Sequence, residues 1–191
     1  MLGLGIGLFF LLALGIVVLV VGWVILAYNG LVTLRNQLRN AWAQIDVQLK
    51  RRHDLIPNLV ETVKDYMEYE EEVLTRVTEA RSRAVAAQGP AEQAQAENAL
   101  TGALRQLFAV VENYPQLKAN ENVMRLQEEL TGTENRIAFA RQFYNDTVMR
   151  FNTRIQTFPT NLIAGMLGFT AQEFFATDEP TEREPVKVDL R

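Results

Sequence analysis

Hydrophobic and polar positions alternate along this chain in two distinct ways. Positions 2–27 carry no charged, amide or hydroxyl side chain. About 26 helical residues at ~1.5 Å each outreach the ~30 Å hydrocarbon layer of a bilayer, so the pattern predicts a tilted transmembrane anchor over 1–28. A cleaved signal peptide would need a basic start, a shorter apolar core and a small-x-small cleavage site, and the sequence has none of them. After the anchor, apolar residues recur every three or four positions with polar ones between them, the period of an amphipathic helix. Leu31, Leu34, Leu38, Ala41, Ile45 and Leu49 form a first stripe, which Ile56, Leu59, Val63, Tyr66, Val73, Val77 and Ala80 continue. Leu100, Leu104, Leu107, Val111 and Tyr114 form another, and Val123, Leu126, Leu130, Ile137, Tyr144, Val148, Phe151, Ile155 and Phe158 the last.

Punctuation sets the boundaries. Gly89-Pro90 suits a helix end followed by a new first turn, and Pro115 and Pro159 each stop a ladder that proline cannot extend. There is no sustained period-two run and no Asn-Gly or Asp-Gly hairpin turn. An all-α fold follows: a transmembrane helix, then an antiparallel up-and-down bundle of about four helices over roughly 29–55, 58–87, 91–114 and 120–158. The bundle domain is expected over 29–170, including the short apolar segment NLIAGMLGF, and a polar, mobile tail over 171–191.

The segment KRRHDLIPNLVE, at positions 50–61, interrupts the longest stripe. Pro57 cannot donate to the carbonyl of His53 and biases Ile56 away from helical angles, which predicts a hinge between Asp54 and Asn58. Asn58 followed by Glu61 resembles a capping pair that restarts the helix. Lys50, Arg51 and Arg52 fan around the helix, so at least one of them points near the core stripe. Glu134 and Arg141, seven apart on the last helix and flanked by Asn135, Tyr144 and Asn145, offer partners for a buried polar layer that would set the register of the bundle. The alternative is that the cations are solvated surface charges.

Charge adds orientation. The first charged residue is Arg35, and Arg39, Lys50, Arg51 and Arg52 follow, against Asp46 alone before Asp54. By the positive-inside rule the N-terminus faces out and the helical domain is cytoplasmic. Trp23 and Tyr28 suit the aromatic belt at the membrane surface. Gly3 and Gly7 form a GxxxG pair, and Gly15 and Gly22 share a face, which would let the anchor pack on a second membrane helix. The net charge of −4 is mixed along the chain and leaves no basic field for nucleic acid. Cysteine is absent, so disulfides are excluded.

The residues for catalysis are scarce. There is one histidine, and His53 cannot face its neighbour Asp54 because adjacent helical residues point about 100° apart. No Glu-x-x-His pair, phosphate-binding glycine loop or nucleophile elbow occurs, and Glu68, Glu70, Glu71 and Glu72 face several directions, as solvated helix surface does. Phe143, Tyr144, Phe151 and Phe158 have the spacing of a bundle core. No cofactor or metal is expected, and no enzymatic activity.

The stretch YNGLVTLRNQLRNAWAQIDVQLKRRHDLIPNLVETVKDY resembles the signature of the bacterial LemA family. A second block, ENYPQLKANENVMRLQEELTGTENRIAFARQFYNDTVMRFNTRIQTFPTNLIAGMLGF, is similar to that family's later region. The resemblance implies a single-pass protein of the bacterial inner membrane with a membrane-apposed helical domain. The family has no established catalytic residues; some members are encoded beside membrane zinc peptidases or proteins with a TPM domain, and a relative takes part in magnetosome membrane formation. Tyr69-Glu70 stands where relatives commonly carry His-Glu, which argues against a metal site there. The combined expectation is a membrane-anchored scaffold or interaction protein that self-associates in the bilayer, with an adaptor of a membrane metallopeptidase or a membrane-remodelling factor as alternatives.

Overall fold

The structure, a computed structural model, describes residues 2–176. Helices account for nearly all of them, and no strand occurs among the described residues. In order they are α1 (Leu2–Lys64), a 3-10 turn (Glu68–Glu70), α2 (Glu71–Ala86), α3 (Gly89–Val111), α4 (Pro115–Lys118), α5 (Glu121–Gln156) and α6 (Thr160–Met166). The first part of α1 is long and apolar enough to cross a membrane: its most apolar window has a mean hydropathy of 3.0, and none of it is buried by the rest of the chain.

The expected hinge at Pro57 is not where the helix ends. α1 passes through Pro57 and continues to Lys64. The carbonyl that proline leaves without its backbone donor, that of His53, accepts Nε of Arg81 at 2.7 Å instead. With that acceptor satisfied, and with Ile56, Leu59 and Val63 fully buried on one face, the apolar stripe carries the helix onward. Asn58 therefore does not cap a new helix: its carbonyl accepts the hydroxyl of Thr62 at 2.6 Å, and both Asn58 and Glu61 are exposed.

The break comes instead between Lys64 and Glu71, splitting the helix expected over 58–87. The amides of Tyr66 and Met67 bond to the carbonyls of Val63 and Lys64, three residues back, which tightens and ends the turn. Met67 is buried and holds the break in place, while Tyr66, expected in the stripe, is exposed.

Other boundaries follow local chemistry. Gly89 takes φ of 79°, open to glycine at no steric cost, and the chain passes from α2 to α3 with only Ala87 and Gln88 between them. Pro115 opens the four-residue α4 as well as ending the preceding helix. Asn120 caps α5, its Oδ1 accepting the amides of Asn122 at 2.9 Å and Val123 at 3.3 Å. Phe143 and Phe158, expected in the core, are exposed. Phe143 is one residue away from the buried face of Tyr144, Val148, Phe151 and Ile155, and Phe158 lies beyond the last residue of α5.

The chain divides into two compact units, and α1 and α5 contribute to both. The first comprises the chain up to Ala43 together with Phe143–Gln172. Inside it Trp42 meets Tyr144 edge-to-face at 5.4 Å. Phe169 meets Tyr28 and Phe151, each at 6.3 Å between ring centres. The side-chain amide of Asn152 donates to the carbonyl of Gln172, and its Oδ1 accepts the Gln172 amide.

The second unit comprises Gln44–Gln142 and, among the described residues after α6, 173–176. Its core joins Ile56, Leu59 and Val63 of α1 to Val73, Leu74, Val77 and Ala80 of α2, Leu100, Leu104, Leu107 and Val111 of α3, and Val123 and Leu130 of α5. Phe175 is also buried, under the guanidinium of Arg141 at 4.9 Å. The packed structure thus extends past 171, where the free tail was expected to begin; the rest of that tail, from 177, lies outside the described residues.

Candidate functional site

The sequence places one class of residue where its periodicity calls for apolar ones. Stepping back along the α3 stripe from Leu100 by three and then four positions reaches Glu97 and Gln93, and both are buried. On α1 the buried face runs through Leu49, Arg52, His53 and Ile56. The packing of these helices within the second unit brings the polar positions together.

The Arg52 guanidinium donates to Glu97 Oε2 at 3.1 Å and to the hydroxyl of Thr101 at 2.7 Å. It also lies 3.2 Å from Oε2 of Glu134 on α5. His53 Nε2 is 2.7 Å from Glu97 Oε1, and because a carboxylate only accepts, that nitrogen carries the proton. Gln93 donates from one amide nitrogen to Glu97 Oε1 at 3.0 Å and to the carbonyl of Ala84 at 2.9 Å. Thr101 completes the circuit by donating to Glu134 Oε1 at 3.4 Å. Glu97 is thus a hub that accepts from three side chains while only 3% exposed.

Burying charge is costly unless it is paired and hydrogen-bonded, and here every member has partners on another helix. α1, α2, α3 and α5 are therefore bound to one polar cluster, and sliding α1 or α3 by a turn would strand a buried charge. Among the described residues the cluster itself contains no serine, cysteine or lysine, and Lys50 lines the cleft beside His53. Among the described residues no group of three or more His, Cys, Asp or Glu side chains is placed to hold a metal ion. Two shallow clefts flank it. One of about 280 Å³ reaches Arg52, Thr101, Glu134 and Asn135, and one of about 360 Å³ reaches His53, Asp54, Arg81 and Gln93.

The remaining expected site residues are dispersed. Arg51 points outward to Glu129 at 3.7 Å, with both side chains substantially exposed; such pairs contribute little. Asp54 and Asn135 are exposed. Arg141 covers Phe175 in the second unit, whereas Tyr144 and the half-buried Asn145 belong to the first. A side chain built onto Gly7, Gly15 or Gly22 meets no atom within 4 Å, so those faces of the apolar helix are open; Gly3 falls outside the residues whose surroundings are described. Glu97, Gln93, Thr101 and Arg81 were not anticipated. A polar residue at a stripe position was the available signal for the first two, and nothing in the sequence announced the third and fourth.

Away from the cluster, the phenol of the half-buried Tyr114 is pushed above its ordinary value of 10.0 by desolvation and then by the Glu70 carboxylate, which accepts from it at 3.5 Å.

The sequence profile of the LemA family matches residues 41–190. The chain is 31% identical over 187 residues to Protein LemA of Metamycoplasma hominis, an alignment that covers 95% of this chain and 81% of that one. It is 25% identical over 196 residues to Magnetosome protein MamQ 2 of Paramagnetospirillum magneticum, covering 89% and 72% of the two chains. Identity to Magnetosome protein MamQ of Magnetospirillum gryphiswaldense is also 25%, over 188 residues, with 85% and 69% covered.

Proposed function

We propose that this chain, which belongs to the LemA family, is a non-enzymatic scaffold anchored in the bacterial inner membrane by the start of α1. The observation that carries the reading is the contrast between its two chemical assets. The charged cluster around Glu97 has its hub buried and is engaged between helices, an arrangement suited to holding an antiparallel bundle in register. The most apolar window of α1 is uncovered by the rest of the chain, an arrangement suited to lipid and to other membrane helices. Arg35 and Arg39 after the span favour a cytoplasmic helical domain.

Self-association through the span is supported by the open faces at Gly7, Gly15 and Gly22, where helices approach closely enough for van der Waals packing. A Cβ added at these positions meets nothing within 4 Å in the chain itself, so leucine substitutions there test contacts between copies. Crosslinking and mass photometry of the full chain in mild detergent should show oligomers that Gly15→Leu and Gly22→Leu dissociate. A single monomer peak for the unaltered chain overturns the scaffold reading. Stoichiometric purification with a membrane peptidase in place of self-assembly would replace it with the adaptor reading.

A further inference from the structure

α6 turns its apolar residues the wrong way for a water-soluble domain. Thr160, Ile163 and Ala164 face inward and are buried, while Phe158, Leu162 and Met166, spaced four apart, are 75%, 59% and 86% exposed. Leu167 is exposed beside them. From Ile155 to Gln172 the chain has no charged residue; Arg154 and Glu173 bracket the stretch. Leu162 and Met166 lie one helical turn apart on α6, and Phe158 in the turn before the helix and Leu167 just after it are uncovered as well, so the exposed apolar residues gather on this short segment.

What covers that surface follows from its tether to the apolar helix. α6 ends in a Schellman turn: Gly168 adopts φ of 70°, and the amide of Phe169 returns to the carbonyl of Ala164 at 3.0 Å. The turn delivers Phe169 onto Tyr28, the residue that follows the apolar run, and beneath the guanidinium of Arg35 at 5.3 Å. The run over 2–27 is about 39 Å long against a hydrocarbon thickness of about 30 Å, which puts Tyr28 in the headgroup layer. Phe169 shares its depth, and α6 lies next to it in the same compact unit. Arg35, whose guanidinium lies over Phe169, and Arg154, which brackets the uncharged stretch, supply cations able to snorkel toward lipid phosphates.

We infer that α6 and the flanking Phe158 form a second membrane contact, lying in the interface of a bilayer that contains anionic lipid, with Phe158, Leu162, Met166 and Leu167 among the upper acyl chains. This rests on the anchor reading above. The contact is two-point: the span fixes depth, and α6 fixes which side of the domain rests on the lipid. Interfacial helices bury their apolar face about 5–10 Å below the headgroups.

The cysteine-free chain allows a direct test. The full chain is reconstituted in nanodiscs of phosphatidylcholine and phosphatidylglycerol containing phosphatidylcholine spin-labelled, in parallel samples, high on the acyl chain and near its end, the second to reach position 18 about 15 Å below Tyr28. Single cysteines at Leu162 and Met166 carry an environment-sensitive fluorophore; Val18→Cys reports on the anchor, and Asn40→Cys, about 18 Å along the helix from Tyr28, on the aqueous side. The inference expects blue-shifted, spin-label-quenched emission at 162 and 166, deeper quenching at 18 and none at 40. Quenching at 18 without quenching at 162 and 166 overturns the second contact and leaves the anchor intact. Absence of quenching at 18 overturns the anchor itself. Blue-shifted emission at 162 that spin-labelled lipid leaves untouched marks burial against protein, such as a second copy, and overturns the inference as well.

Discussion

Replacing Glu97 by leucine removes the hub of the buried cluster while filling much of its volume. Arg52, 2% exposed, keeps Thr101 and the half-exposed Glu134 but loses its buried counter-charge, and the proton on His53 Nε2 loses its acceptor. Removing one partner of a buried ion pair costs about 3–5 kcal/mol, and the surviving Glu134 contact puts this case toward the low end, near ~3 kcal/mol. Arg52→Met is the complementary change. It leaves the Glu97 carboxylate with only the donors of His53 and Gln93 and brings about a similar loss. The double variant, with both charges gone, strands only the imidazole N–H, a cost of about 1–3 kcal/mol. It should therefore be no less stable than either single variant, giving a coupling energy of about 3 kcal/mol. The assay is urea unfolding of the full chain in detergent micelles, followed by helical circular dichroism. With a slope of about 2 kcal/mol per M, each single substitution lowers the midpoint by about 1.5 M. Single variants that each cost under about 1 kcal/mol, or a double variant whose loss is the sum of the two, would refute the reasoning that the cluster holds the helices together as a unit.

Three further outcomes follow from the same geometry. Arg81→Met strips the His53 carbonyl of its donor and should destabilise the second unit by about 1.5–3 kcal/mol; in a Pro57→Ala background, where a backbone amide can take that carbonyl, the loss should shrink to under about 1 kcal/mol, and equal losses in both backgrounds would show that the carbonyl is not what Arg81 satisfies. Phe169→Ala removes the ring that joins Tyr28, Phe151 and Arg35 and should cost about 2–4 kcal/mol, measured by thermal unfolding; no change would mean the ring carries no packing energy. For Tyr114, absorbance titration read as the difference from Tyr114→Phe should give a midpoint above 10.0 that Glu70→Gln moves down. Because the folded value is the higher one, the phenol's contribution to stability is complete below pH 10 and is lost as pH rises through the folded value; a midpoint unmoved by Glu70→Gln would exclude the carboxylate as a cause.

Much of the architecture was readable in the order of residues. The stripe Leu31, Leu38, Ala41, Ile45 and Leu49 is buried on one helical face, because period 3.6 leaves no other way to hide those side chains together. Arg52 could be singled out only as one of three cations, of which at least one had to turn inward. The rule that a proline breaks a helix failed at Pro57 because it considers only the local ladder: Arg81, 28 positions away in sequence, supplies what the ladder lacks. Phe158 and Phe143 were misplaced for the opposite reason, since residue type suggested burial where helix end and phase forbade it.

By itself, the sequence determined an apolar helix long enough to span a bilayer and a sequel of amphipathic helices, because composition and period depend only on neighbours. Tertiary structure alone decided which polar side chains would meet. Glu97 finds Arg52 and His53 at separations of 45 and 44 residues. Whether a buried charge is a liability or a fastening depends on what another helix places within about 3 Å of it, a distance that no local pattern encodes.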